Sequence, residues 1–270
     1  MTTRVGFIGL GNIGKPMALR LADEFHVRVF DVVPEPVAEL VAAGVTAAAS
    51  VAEVADVDVL CVMVRDDDQV RDVAAEVLAS GASPVLVVHS TVAPGTPGEL
   101  EALGIRVLDA PVSGGPVGAA HGTLAIMVGG DEAAYAVAEP VLARMGSKVV
   151  HAGPLGAGTR MKLARNLIHF VAFTAVTEAQ RLAEASGLDL LVLGEVVRHT
   201  DAITGGPGAI MYRDTTARLA TDDFWHGVFD HVRALGEKDL SFAIELARTL
   251  GVDVPLAQLA RDSLGRGLGV

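Results

Sequence analysis

The sequence predicts an α/β fold: a doubly wound, mostly parallel sheet over residues 1–157, then an all-helical domain over residues 158–270. Three observations carry this expectation. Short apolar runs alternate with helical patterns from Arg4 to His151, as the strands and crossover helices of a parallel sheet do. Pro154 and the glycines after it break the pattern, and beyond them the strand signals stop. From Thr159 to Ala185 the chain carries neither Gly nor Pro, which reads as an interdomain helix of roughly 40 Å at 1.5 Å per residue.

Taken in order, Arg4-Val-Gly-Phe-Ile8 is an apolar strand that runs into Gly9-Leu-Gly11-Asn12-Ile13-Gly14, and a helix follows from Lys15 to about Glu24. A Gly-x-Gly-x-x-Gly is a weak signal alone; its place between strand and helix gives it meaning. Gly9 permits the tight turn, Gly11 lets a pyrophosphate approach the backbone, and Gly14 lets the helix close on the strand with its N-terminus toward the phosphates. His26-Val-Arg-Val-Phe30 is the second strand. Asp31 ends it, 22 residues past Gly9, where a dinucleotide site places the acid that binds the ribose 2′-hydroxyl.

Pro36 to Ala43 reads as helix and Val57 to Val64 as a buried strand. Asp66-Asp-Asp68 opens a helix to about Ala79, its carboxylates at the positive end of the helix dipole. Val85 to His89 leads into Ser90-Thr91, and Ile105 to Asp109 into Ala110-Pro-Val-Ser113-Gly114-Gly115. Leu124 to Val128 and Lys148 to His151 flank a helix around Glu132 to Arg144. Ligands of such Rossmann-type sheets sit beyond the strand C-termini, where Met63, Val64, Ser90, Thr91 and the Ser113–Gly115 loop fall. Past the boundary, helices are expected at Asp189–His199, Thr215–Arg218, Phe224–Glu237 and Asp239–Leu250, with a loop over Ile203–Gly208.

A net charge of −12 argues against nucleic acid or an anionic membrane as partner. No run reaches the roughly eighteen apolar residues of a membrane span, and Met-Thr-Thr-Arg before the first strand is no secretory signal, so a cytoplasmic protein is expected. Cys61 lies in an apolar run without a second cysteine and reads as a small core residue. The helical region is too apolar for one small domain to cover, which predicts a homodimer or higher oligomer.

Lys162 and Asn166 stand at i and i+4 and share a helix face, to which His169 returns. Such a pair ordinarily marks a solvated stripe. Here Leu167, Ile168, Phe170, Val171, Phe173 and Val176 are apolar nearly all round, which predicts a buried helix, and a lysine there needs a reason. Ser113-Gly114-Gly115 reads equally as a plain turn or as a small nest for a carboxylate. No Gly-x-Ser-x-Gly elbow is present, so Ser113 is a poor nucleophile. The eight histidines lack metal-ligand spacing, and no metal is expected. Lys162 remains as the candidate acid/base, and Asn166 could orient the lysine or a substrate hydroxyl.

Together these residues resemble the β-hydroxyacid dehydrogenase family, which includes 3-hydroxyisobutyrate dehydrogenase and tartronate semialdehyde reductase. Gly6-Phe-Ile-Gly-Leu-Gly-Asn-Ile-Gly14 is similar to the family's cofactor signature, with Ile13 where Met is usual. Asp109-Ala-Pro-Val-Ser-Gly-Gly-Pro-Val-Gly-Ala119 is similar to its substrate signature, Gly156-Ala-Gly-Thr-Arg-Met-Lys162 with Asn166 to its catalytic signature, and Lys238-Asp239 to a late cofactor-contact motif. The resemblance implies Lys162 as general acid/base with Asn166 its companion, and Ser113, Gly114 and Gly115 on the substrate carboxyl. It places His231 where a pocket aromatic is common. Thr91 and Lys238 would lie by the cofactor, beside Gly9, Gly11, Asn12, Ile13, Gly14, Asp31, Met63 and Val64. The implied reaction is hydride transfer between NAD and C3 of a small 3-hydroxy acid, giving a semialdehyde or 3-oxo acid, in subunits that pair through the helical domain. Asp31, followed by Val32, Val33 and Pro34 with no arginine, implies NAD in preference to NADP.

The chain departs from the family at further places besides Ile13 and His231. Arg165-Asn166 replaces the usual Asn-Asn, His169 an apolar residue, and His89 an acid before the Ser-Thr pair. Added Arg and His suggest a substrate more polar than hydroxyisobutyrate. The chain also stops at Gly-Arg-Gly-Leu-Gly-Val270, short of the family's usual last helix. Two rival readings are an imine reductase-like enzyme and a non-catalytic dinucleotide-binding protein. Imine reductases typically lack the lysine and prefer NADP, and a sensor would have no need to keep Lys162, Asn166 and Ser113 together.

Overall fold

Apolar runs of four to six residues, buried on both faces, form the centre of the sheet. The computed structural model describes residues 3–211, 213 and 215–270. Two compact units, Met1–Arg165 and Asn166–Val270, divide the chain. The first unit carries β1 (Arg4–Ile8), β2 (His26–Phe30), β3 (Thr46–Ala47), β4 (Val59–Val62), β5 (Val85–Val88), β6 (Val107–Asp109), β7 (Val112–Ser113), β8 (Ala125–Gly129) and β9 (Lys148–Gly153). They form one sheet in the order β3-β2-β1-β4-β5-β6-β8-β7, with β9 paired to β8. Pairing is parallel except where β8 meets β6 and β7. The order reverses between β1 and β4, the crevice where such sheets bind ligands.

The helices of this unit are α1 (Gly14–Leu21), α2 (Pro34–Ala42), α3 (Val51–Val54), α4 (Asp67–Ser80), α5 (Thr96–Ala102), α6 (Gly115–His121), α7 (Glu132–Met145) and the start of α8 (Ala157–Ala185). The two-residue period of the strands divides the core between the two sheet faces. Phe7, Val29, Cys61 and Val87 pack with Met17 and Leu21 of α1 and Leu142 of α7. Ile8, Leu60, Val62 and Leu86 pack with Val70, Val73 and Val77 of α4 and Leu100 of α5. The free thiol of Cys61 is buried, and burial raises it above the ordinary thiol range, so it is a core residue. The sequence does not announce β3, β7, α3, α5 and α6. The strands span two residues each, and Gly and Pro at the starts of α5 and α6 read as loop.

The second unit continues α8 and adds α9 (Leu190–Thr204), a 3₁₀ turn (Gly206–Gly208), α10 (Phe224–Leu250) and α11 (Pro255–Leu268). Asp189 and Asp223 cap α9 and α10 by accepting from Leu191 N and Trp225 N, each at 2.7 Å. Glu178 of α8, buried, accepts from Leu256 N at 2.8 Å and Ala257 N at 3.0 Å and so caps α11.

Three expectations are corrected here, and one helix goes unannounced. Thr215–Arg218 is not helical: Thr215 Oγ1 accepts from Ala217 N at 3.2 Å, and this local bond replaces a helical turn. Phe224–Glu237 and Asp239–Leu250 are one helix, since the charged pair Lys238-Asp239 does not interrupt the helical backbone. Helix α11 is unannounced because Gly265 and Gly267, poor helix formers, lie inside it. The apolar turns of α8 are not buried in the single chain: Leu167 is 67% and Phe170 58% exposed, with Val171, Phe173 and Val176 also exposed. Apolar residues all round a helix call for a covering surface, but they do not say that the same chain supplies it. Among the described residues no helix is long and apolar enough to cross a membrane.

Candidate active site

The loop between β1 and α1 is built by what its glycines exclude. At Gly9 φ is +91°, and an added Cβ would stand 2.7 Å from the Met63 carbonyl carbon, so only glycine closes this turn against the end of β4. A Cβ on Gly14 would overlap Gly9 O and press within 3.2 Å of Phe7 Cε1, which is why α1 packs so near β1. Gly11 is different. No atom lies within 4 Å of its notional Cβ, so its backbone faces open space.

That space belongs to a cavity of about 650 Å³ at the sheet's crossover, lined by Gly9, Gly11, Asn12, Ile13, Gly14, Asp31, Met63 and Val64 among others. Asp31 sits at its edge. Its Oδ2 accepts from Leu10 N at 2.5 Å and its Oδ1 from Val33 N at 2.8 Å, so the acid is fixed against the glycine loop. The open backbone at Gly11 and the anchored carboxylate fit a dinucleotide's pyrophosphate and ribose. Sequence reasoning missed Arg65, Gln69, Asp72 and Glu76, which line the same cavity from the first turns of α4 and the loop before it. The Asp66 N-cap that begins α4 could have placed them. Thr91, beyond β5, is exposed and does not line this cavity.

The second cluster joins β7 to α8. Lys162 is 8% exposed, and its Nζ donates to Val112 O at 2.6 Å and to Ser113 Oγ at 2.8 Å. Burial depresses the ammonium's pKa below the ordinary lysine range, and the nearby Arg165 guanidinium depresses it further. Beyond Ser113 the backbone turns through Gly114 (φ +133°) and Gly115 (φ +62°), conformations that favour glycine and hold that loop open. The structure therefore brings Lys162 and Ser113 together. Asn166 lies one turn further along α8, while His231 and Lys238 lie on α10 in the second unit, Lys238 paired with Asp239 at 3.1 Å.

Two of the unusual histidines pack against aromatic rings. His89 is 1% exposed, is placed by Nδ1 2.9 Å from Ala110 O, and stacks on Phe7. His169 packs between Phe170 and Phe173, with ring centroids 5.4 and 4.3 Å away. Burial lowers the His89 pKa to about 4, which keeps the ring neutral. Below its ordinary 6.5, the unfolded chain takes up a proton that the folded chain refuses, so stability falls as the pH drops from 6.5 toward 4. The fall attributable to this ring should be about 3 kcal/mol. Urea midpoints across this range should decline less steeply for His89→Phe than for the wild type; parallel declines would show that the ring is not the cause. Among the described residues no group of three His, Cys, Asp or Glu side chains is placed to hold a metal ion.

A glycine cradle at the crossover of a parallel sheet, with an acid anchored at the end of β2, is the arrangement of a dinucleotide-binding protein. Residues 4–153 match the family described as the NAD binding domain of 6-phosphogluconate dehydrogenase. Residues 156–267 match the one described as NAD-binding of NADP-dependent 3-hydroxyisobutyrate dehydrogenase. An oxidoreductase of Mycobacterium tuberculosis is 51% identical over all of this chain and 94% of its own length. The NAD-dependent L-serine dehydrogenase of Pseudomonas aeruginosa is 36% identical over 95% of this chain and 89% of its own. Among solved structures, an oxidoreductase from Mycobacterium avium 104 superposes with a TM-score of 0.95 at 49% identity, covering 99% of each chain. Mycobacterium tuberculosis 3-hydroxyisobutyrate dehydrogenase with L-serine gives a TM-score of 0.68 at 34% identity, covering 98% of this chain and 94% of that one. The chain belongs to the β-hydroxyacid dehydrogenase family, whose members transfer hydride between NAD and small 3-hydroxy acids.

Proposed function

We propose that this enzyme oxidises C3 of a small 3-hydroxy acid with Lys162 as general base, and that the bond from Lys162 Nζ to Ser113 Oγ is the observation that carries the assignment. When bound, NAD supplies the hydride acceptor. The chain's own residues handle the proton and the carboxylate. As a neutral amine, Lys162 spends both of its N–H groups on Val112 O and Ser113 Oγ, which leaves its lone pair as the only unused direction. The amine can thus take the substrate's hydroxyl proton without giving up either anchor. Ser113 Oγ, already accepting from the lysine, keeps its own hydrogen for an acceptor such as the substrate carboxylate, beside the Gly114 and Gly115 N–H groups. Asn166, one turn on, would orient the hydroxyl, and Thr91, Lys238 and His231 would complete the cofactor and substrate contacts.

The L-serine named with two relatives supports a short 3-hydroxy acid with a polar substituent. The direct test is a panel of L-serine, 3-hydroxyisobutyrate and other short 3-hydroxy acids with NAD, followed at the absorbance of the reduced nicotinamide. Turnover of none of them would sink the proposal. The same reading assigns residues 1–157 to the dinucleotide and residues 158–270 to substrate and subunit pairing. The acidic composition and the free thiol Cys61 support a cytoplasmic setting.

Exposed Phe170, Phe173 and Val176 on α8, with Leu191 and Val192 on α9, support a homodimer whose partner covers them. Light scattering at micromolar concentration should return at least twice the monomer mass of 27.8 kDa, and a monomer would count against pairing.

A further inference from the structure

We infer that Asp109 is the positioning residue that sets Lys162 against the substrate loop; this rests on the reading of Lys162 as the base. Asp109 ends β6 and is fully buried, yet among the described residues no cation pairs with it. A carboxylate sealed from water without partners is costly. Its partners are the backbone N–H groups that begin α8: Oδ1 accepts from Gly156 N at 2.7 Å and Oδ2 from Thr159 N at 2.6 Å. Helix α8 starts at Ala157, so these are the N–H groups of the capping position and of the third helical residue. A capping box satisfies the same pair with two side chains of the helix itself. Gly156 has no side chain to offer, and one carboxylate from another strand does both jobs at the positive end of the helix dipole.

The fit is backbone on backbone. A Cβ on Gly158 would come within 2.6 Å of Asp109 O and 3.0 Å of Gly129 N, and one on Gly129 within 2.7 Å of Ala157 N. Lys162 lies one turn past Thr159 and reaches back to Val112 O and Ser113 Oγ. The stretch Asp109–Ser113 therefore grips α8 twice: by its first residue at the helix start, and by its last two through the lysine. Between the grips, His89 Nδ1 lies at 2.9 Å from Ala110 O, and Ala110 N donates to Val88 O at 2.8 Å. A lysine stem has four rotatable carbons, so its amine is only as well placed as the backbone that carries it. A displacement of about 1 Å at a reacting group can cost on the order of 10²-fold in rate. Asp109, fully buried with both oxygens on the helix start, acts through the helix.

Asp109→Asn keeps the shape but turns an NH₂ group toward one of the two N–H donors. The expected result is a kcat lowered roughly ten- to a hundredfold, with KM for NAD unchanged within twofold. Hydrogen exchange should quicken over residues 156–162 and stay unchanged over residues 9–14. A loss of thermal stability with kcat intact, or a uniform rise in exchange, would mean that Asp109 is merely structural. The wild type offers a second reading should the variant not fold. The amides of a helix's first turn ordinarily exchange fast, whereas Thr159 N–H should exchange as slowly as the helix interior; fast exchange there overturns the inference. An inactive Lys162→Met beside a fully active Asp109→Asn would overturn the clamp and leave the lysine's role standing. An active Lys162→Met would overturn the role of the lysine, with Thr159 exchange still testing the clamp.

Discussion

Replacing Lys162 with methionine should lower kcat for alcohol oxidation by about 10²–10⁴, the range that general acid–base catalysis contributes, while NADH still binds. Methionine keeps most of the stem's volume but cannot donate to Val112 O or Ser113 Oγ or receive a proton. The proposed cofactor contacts lie around Gly9–Gly14 and Asp31, which line a cavity that Lys162 does not, so NADH fluorescence titration should change little. Retention of more than about a tenth of kcat would exclude Lys162 as the essential base. A companion variant reads the lysine's charge state. The base must be neutral to act, so kcat/KM for oxidation rises with pH through the lysine's pKa. Burial first, and the Arg165 charge second, hold that pKa down. Arg165→Asn removes the second cause, and the limb of the profile should move upward in pH. A limb that stays in place with a raised substrate KM would assign Arg165 to substrate pairing instead.

The second large effect concerns the cofactor. NAD should be preferred to NADP by about 10²-fold or more in kcat/KM, because the 2′-phosphate of NADP would meet the Asp31 carboxylate. Two unit charges about 4 Å apart repel by roughly 4 kcal/mol at an effective dielectric of 20. Asp31 cannot easily swing aside, since both of its oxygens are held by backbone N–H groups of Leu10 and Val33. Asp72 and Glu76 add negative charge to the same cavity, and Arg65, the one arginine lining it among the described residues, is paired with Asp66 at 3.0 Å. Asp31→Ala should narrow the preference at least tenfold, chiefly by improving NADP. A wild type that uses NADP as well as NAD would remove the claim.

Much of the frame is legible in the residues because its determinants are local. Strand β1, the glycine loop, α1 and Asp31 follow one another within 31 residues, and each needs its residue type for a reason confined to a few neighbours. Short runs of Val, Leu and Ile that alternate with helical patterns announce the parallel sheet, and the uninterrupted pattern from Thr159 announces α8. By itself, then, the sequence determines the fold class, the dinucleotide cradle and the candidacy of Lys162, since turn chemistry and apolar periodicity act over a few residues at a time.

Only the tertiary structure decides what depends on distant partners. His89 reads as a polar addition to a pocket, yet it is a core ring kept neutral by burial, with Nδ1 on Ala110 O and its face on Phe7. The apolar turns of α8 read as buried, yet they face solvent in one chain, because periodicity records the need for cover and not its source. Asp109 stands in plain view at the head of a motif, but its task lies 47 and 50 residues away, where Gly156 and Thr159 begin α8. A hydrogen bond across that separation leaves no period in the sequence. It exists only once β6 and the helix start have been brought together, and so it is the folded chain that couples the substrate loop to the lysine.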